Sequence, residues 1–170
     1  MKSSLKSLGL IIFSIGLLLS GCTLDGGASK PTTGNGKSVE NSVEVKVTGV
    51  ASSEPQIETP RGSAPTKLVS KDIFLGTGAT VSPNSTLTVH YKLMTWSDGK
   101  IVDSSWKSGK PATFPLAQVI QGWQQGLPGM KVGGRRLLVI PPDLGYGSTG
   151  AGPIKANETL IFVVDLIASK

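Results

Sequence analysis

The chain has one cysteine and one histidine in 170 residues, and only nine aromatic side chains: three Trp, two Tyr and four Phe. A lone cysteine excludes an intramolecular disulfide. One Cys and one His cannot build a structural or catalytic zinc site of the usual kind, so no metal or other cofactor is expected. There is no internal repeat and no heptad pattern. The 17 basic residues outnumber 11 acidic ones but are scattered, and the one tight basic pair of the globular part, Arg135-Arg136, sits between Gly-Gly and a strand. That is not a nucleic-acid footprint.

Long apolar runs are also missing, except at the start. Lys2 and Lys6 precede a nearly continuous apolar stretch from Leu8 to Leu19, and Ser20-Gly21 are small. This is too short to span a bilayer comfortably and reads as an export signal over residues 1–21. Without Lys2 and Lys6, 15 basic face 11 acidic residues, a net charge of +4. The context Leu19-Ser20-Gly21-Cys22 resembles the lipobox of bacterial lipoproteins. It implies lipidation at Cys22, anchorage to the bilayer and an extracytoplasmic location at the cell membrane. Two acyl chains, at roughly 0.8 kcal/mol per buried CH₂, anchor stably where one does not.

Residues 22–40 are rich in Gly, Ser, Thr, Lys and Asn, too polar to offset chain entropy, and read as a flexible tether. Residues 41–65 carry an alternating Val43, Val45, Val47 pattern and then Pro55, Pro60 and Pro65. They predict an extended arm along the following domain, as an edge strand. The compact domain is expected at 66–170. Leu87, Val89, Tyr91 and Leu93 alternate with polar residues as a half-buried strand, and Ser97-Asp98-Gly99-Lys100 signals a hairpin. Leu116, Val119, Ile120, Trp123 and Leu127 follow one helix face, with Pro115 in its first turn and Gly126 at its end. Arg135–Ile140 and Leu160–Ile167 read as strands. The fold class predicted is α+β, one short helix on an antiparallel sheet.

The stretch Val119–Gly147, VIQGWQQGLPGMKVGGRRLLVIPPDLGYG, combines an aromatic helix, a strand and a Gly/Pro loop ending in tyrosine. It holds no Cys, no His and no Ser beside a base. Any reaction here is one that an apolar aromatic pocket performs without a nucleophile.

Six motifs together resemble FKBP-type peptidyl-prolyl isomerases over about residues 70–170. They are Val89-His90-Tyr91, Asp98-Gly99-Lys100 with Asp103-Ser104-Ser105, Val119-Ile120-Gln121-Gly122-Trp123, Gly129-Met130-Lys131-Val132-Gly133, Pro141-Pro142-Asp143-Leu144-Gly145-Tyr146-Gly147 and Asn157-Glu158-Thr159-Leu160-Ile161-Phe162. The resemblance implies five or six antiparallel strands wrapped around one short helix. It also implies acceleration of X–Pro rotation in exported proteins, and macrolides of the tacrolimus and rapamycin type as ligands.

By the same resemblance Trp123 is the pocket floor, and the Ile120 N–H and Tyr146 hydroxyl bind a ligand carbonyl. Tyr91, Val119 and Phe162 line the pocket. Asp103 either points into its rim, bonding a tyrosine hydroxyl or ligand, or starts the turn through Ser104-Ser105, or does both. Trp123, Tyr91 and Phe162 would suit plain core packing as well. His90 falls on the face opposite Tyr91. Trp96 and Trp106 are either exposed client contacts or packed against the arm. Three positions depart from the family pattern. Val102 and Ala112 replace aromatic walls, and the loop that usually carries Ile-Pro-Pro reads Ile154-Lys155-Ala156. A shallower cavity with weaker macrolide binding is the expectation. The alternative is a lipid-anchored peptide-binding module with the same fold and little turnover. A general chaperone has little support.

Overall fold

The computed structural model describes residues 44–170. The signal segment, Cys22 and the tether lie outside the described residues. Eight strands form: β1 (Val47–Thr48), β2 (Gln56–Ile57), β3 (Val69–Phe74), β4 (Thr86–Thr95), β5 (Ile101–Ser104), β6 (Ala112–Pro115), β7 (Arg135–Ile140) and β8 (Leu160–Ser169). One short helix, α1 (Gln121–Gly126), and 3-10 turns at Ser105–Ser108, Leu116–Gln118 and Pro142–Leu144 complete the described part. Six strands make one antiparallel sheet in the order β3-β7-β8-β4-β5, with β6 also paired to β4. This is the α+β arrangement expected. Among the described residues no helix is long and apolar enough to cross a membrane.

The two faces of the sheet explain the strand sequences. On β4, Leu87, Val89 and Leu93 are almost fully buried and face α1, so this strand alternates. β8 instead reads LIFVVDLI because both its faces are covered. Leu160, Phe162 and Val164 join the main core under α1, while Ile161 and Val163 join a second cluster with Met94, Leu137 and Val139 on the outer face. A strand buried on both sides loses the period-2 pattern.

What covers the outer face is the N-terminal arm, and here the edge-strand expectation is corrected. β1 and β2 pair with each other, not with the large sheet. The hairpin lies over the sheet face, where Val45, Val47 and Ile57 pack on the second cluster. Two sheet cations hold its turn. Buried Lys92 donates to the Pro55 carbonyl at 3.0 Å and pairs with Glu54 at 2.8 Å. Arg135, 1% exposed, donates to the Ser53 carbonyl while gripping Asp165 through two hydrogen bonds. The arm's apolar residues needed a sheet face, and only tertiary packing decides between face and edge.

The helix also differs from its sequence pattern. The apolar rhythm from Leu116 to Leu127 is shared by three local conformations. Pro115 ends β6, Leu116–Gln118 is a 3-10 turn, Val119 and Ile120 are extended (ψ 176° and 152°), and only then does α1 begin. Gln124 stabilises this break by donating to the carbonyls of Val119 (2.7 Å) and Ala117 (3.4 Å). α1 lies unusually close to β7 because of two glycines. A Cβ at Gly122 would stand 2.4 Å from Ile140 Cγ2, and one at Gly126 2.7 Å from Leu138 Cδ2.

Candidate active site

Between α1 and the inner face of the sheet opens a cavity of about 380 Å³. Each wall comes from a different element. β4 supplies Tyr91 and Leu93, β5 supplies Asp103, β6 supplies Phe114 and β8 supplies Phe162. The break before the helix supplies Gln118, Val119 and Ile120, α1 supplies Trp123, and the loop after β7 supplies Tyr146.

Trp123 organises the apolar part. It is 4% exposed, and three rings meet it edge-to-face: Phe162 at 5.3 Å, Tyr91 at 5.9 Å and Phe114 at 6.0 Å between centroids. Such perpendicular contacts put the positive edge of one ring on the negative face of another and fix the indole's tilt. Its Nε1 is buried with no hydrogen-bond partner among the described residues.

The polar part is small. The Tyr91 hydroxyl donates to Asp103 Oδ2 at 2.5 Å, and Asp103 Oδ1 accepts from the Ser104 N–H at 2.8 Å. Asp103 therefore starts the turn and reaches the cavity rim at once. Burial chiefly, and the adjacent carboxylate next, push the Tyr91 hydroxyl well above the ordinary tyrosine range. Tyr91 thus stays a neutral donor at any physiological pH. The Ile120 N–H donates to no backbone acceptor among the described residues, because the chain is extended there. Tyr146, 37% exposed, sits at the mouth. Its loop is tied by Gly147 N–H to the Pro142 carbonyl and Asn157 N–H to the Gly147 carbonyl, both at 2.9 Å.

All seven residues singled out as the core of the site, Tyr91, Asp103, Val119, Ile120, Trp123, Tyr146 and Phe162, border this one cavity. The three positions that depart from the family pattern, expected at the pocket rim, do not. Val102 is half-buried against the core, Ala112 is paired to Val89 on β6, and Ile154 is 8% exposed within the core cluster. Phe114, Leu93 and Gln118 went unread. Phe114 stands two residues from Ala112, on the same face of β6, and gives the cavity an aromatic wall at its own position. His90 lies on the outer face, its Nδ1 2.9 Å from Ser105 Oγ and its ring stacked on Trp106 at 4.1 Å. Trp96, half-buried, packs on the second cluster beneath the arm.

A cavity walled by aromatics, with a neutral phenol on a carboxylate and a free main-chain N–H, can desolvate and orient an amide. It offers no nucleophile. Residues 78–167 match the family model of FKBP-type peptidyl-prolyl cis-trans isomerases, over half of the chain. The chain belongs to this family. It is 48% identical over 116 residues to a probable FK506-binding protein of Corynebacterium glutamicum, covering 68% of this chain and 98% of that protein. It is equally similar, 48% over 119 residues, to an FK506-binding protein of Streptomyces anulatus, covering 68% and 96%. Among solved structures, FkpA from Escherichia coli superposes with a TM-score of 0.59 at 40% identity, covering 64% of this chain and 51% of that one. AtFKBP13 gives 0.57 at 35% identity, covering 63% and 96%. The FKBP match begins after β3 and includes every cavity residue, so the chain is an isomerase of the FKBP type. The arm precedes the matched span.

Proposed function

We propose that the isomerase accelerates X–Pro rotation in exported proteins by binding the imide in the cavity of Trp123, with no covalent intermediate. Unaided, the bond crosses a barrier of about 18–20 kcal/mol. Twisting it breaks amide resonance, so the transition state carries less charge on oxygen than the planar imide. Transfer from water into an apolar cavity then favours the twisted form, and no proton need move. Lowering the barrier by about 5–7 kcal/mol corresponds to roughly 10⁴–10⁵-fold.

In this reading the prolyl ring rests on Trp123, between Phe114, Phe162 and Val119. The Ile120 N–H and the Tyr146 hydroxyl hold carbonyls on either side of the bond, and the Tyr91–Asp103 pair orients the twisting carbonyl. The observation that carries it is the indole held edge-on by three rings, one of them the neutral phenol of Tyr91 bonded to Asp103. Macrolides of the tacrolimus type would enter the same cavity. Phe114 supports a fuller aromatic wall than Val102 and Ala112 alone suggested, which favours turnover over a binding-only module. Export and acylation at Cys22 remain part of the proposal on the strength of the N-terminal sequence. The test is a protease-coupled X–Pro assay: turnover should fall in Tyr146→Phe without loss of folding, and a rate equal to the uncatalysed one would exclude the enzyme reading.

A further inference from the structure

Gln124 of α1 stands beside the catalytic cavity without lining it. Its half-buried side chain runs back along the chain to two carbonyls of the break that precedes the helix. Nε2 donates to the Val119 carbonyl at 2.7 Å and to the Ala117 carbonyl at 3.4 Å. Both partners only accept, so the amide presents its nitrogen to them, and an ionised carboxylate of the same length could not take its place.

The shorter of these bonds fixes one peptide group. The Val119 C=O and the Ile120 N–H belong to the same planar unit, so in the trans form they point in opposite directions and turn together. No other hydrogen bond among the described residues holds that unit. The Ile120 N–H meets no backbone acceptor, and the Val119 carbonyl accepts from no backbone N–H. The helix takes hold one peptide later, where the Ile120 carbonyl accepts from the N–H groups of Trp123 at 3.0 Å and Gln124 at 3.3 Å. Val119 and Ile120 border the cavity, whereas Gln124 does not. A carbonyl that accepts a hydrogen bond also polarises its peptide, so the N–H at the other end becomes a stronger donor.

We infer that Gln124 is a positioning residue for the isomerase. It touches no substrate. It holds the Val119 carbonyl from outside the cavity, turns the Ile120 N–H toward the cavity and strengthens it as donor to a substrate carbonyl. The inference rests on the reading of that N–H as a substrate contact. The contact is made alike in the planar and the twisted imide, so losing it raises KM and spares kcat.

The test is a double-mutant cycle on the full chain, with kcat and KM for an X–Pro tetrapeptide and thermal unfolding measured for each protein. Gln124→Met keeps the side chain's length and removes both donors. Ile120→Pro removes the N–H itself, and the backbone accommodates it, since φ is −59° at Ile120 and Val119 is extended. Gln124→Met should raise KM about three- to tenfold, the worth of one neutral hydrogen bond, with kcat and the unfolding midpoint kept. Ile120→Pro should raise KM at least as much, and adding Gln124→Met to it should cost nothing further. An unchanged KM in Gln124→Met, a loss in kcat instead, or losses that multiply in the double variant would overturn the positioning role. If Gln124→Met does not fold, Gln124→Glu takes its place under the same outcomes. A parent KM in Ile120→Pro would defeat the reading of the N–H, and the role of Gln124 with it. Absence of turnover in the parent chain would instead defeat the isomerase reading. Tetrapeptide binding by the same four proteins then decides Gln124: weaker binding that vanishes in the Ile120→Pro background supports it, and any other pattern overturns it.

Discussion

The indole of Trp123 and the phenol of Tyr91 behave as two kinds of residue within one cavity. Trp123 belongs to the core as well as the site. Trp123→Ala should therefore cost about 3–5 kcal/mol of stability, read as a lower denaturation midpoint, together with its loss of turnover. Tyr146, exposed at the mouth, carries no such burden. Tyr146→Phe should leave the midpoint within about 0.5 kcal/mol and reduce kcat/KM by about three- to tenfold, the worth of one neutral hydrogen bond. Tyr91 makes a pH prediction. Its folded-state pKa is raised above the ordinary 10.0, so the native protein keeps a proton that the unfolded chain has lost. Stability from this group is complete below about pH 10 and is lost as pH rises beyond it. Denaturant titrations above pH 10 should fall more steeply for the parent than for Tyr91→Phe. At this scale the cavity residues were legible through motif resemblance. Phe114 was not, because Ala112 and Phe114 share one face of β6, and a period-2 pattern does not say which of the two reaches Trp123.

At the level of elements, the site depends on how closely α1 approaches β7. Gly122 and Gly126 face Ile140 and Leu138 with no room for a methyl group. Alanine would gain about 1 kcal/mol of helix propensity at either position. We expect the contact to win: Gly122→Ala should destabilise by about 1–3 kcal/mol through overpacking and lower turnover by shifting Trp123. Adding Ile140→Ala should cost less than the two single effects together, by about 1 kcal/mol in a double-mutant cycle. Strands β4, β7 and β8 could be read from their apolar residues. The start of the helix could not, because Val119 and Ile120 keep the helical spacing while the backbone there is extended. The Gln124 side chain bonds that hold the break are tertiary detail, and the break is what leaves the Ile120 N–H without a backbone acceptor among the described residues.

Across the whole molecule, the FKBP-matched span is not the whole packing unit. The arm places Val45, Val47 and Ile57 on an outer face that would otherwise expose Met94, Leu137, Val139, Ile161 and Val163. Removing residues 44–61 should lower stability by about 2–4 kcal/mol, given about 1.5–3 kcal/mol for each fully buried aliphatic side chain less the cost of ordering the arm. Thermal unfolding of the shortened chain, with earlier onset and aggregation through the bared sheet, would show it. A stability equal to the parent's would mean that the arm only rests on the sheet. The arm's apolar alternation was visible in the sequence, but its partner was not, since the residues it covers are spread over β4, β7 and β8.

The central claim is that an apolar cavity lowers a rotational barrier with no proton transfer. The most direct measurement is kcat/KM for an X–Pro tetrapeptide as a function of pH. The chain's single histidine, His90, lies outside the cavity. The account predicts catalysis well above the uncatalysed rate and flat between about pH 6 and 8. A rate no faster than the uncatalysed one, or a profile that rises or falls with a single ionisation in that range, would contradict it.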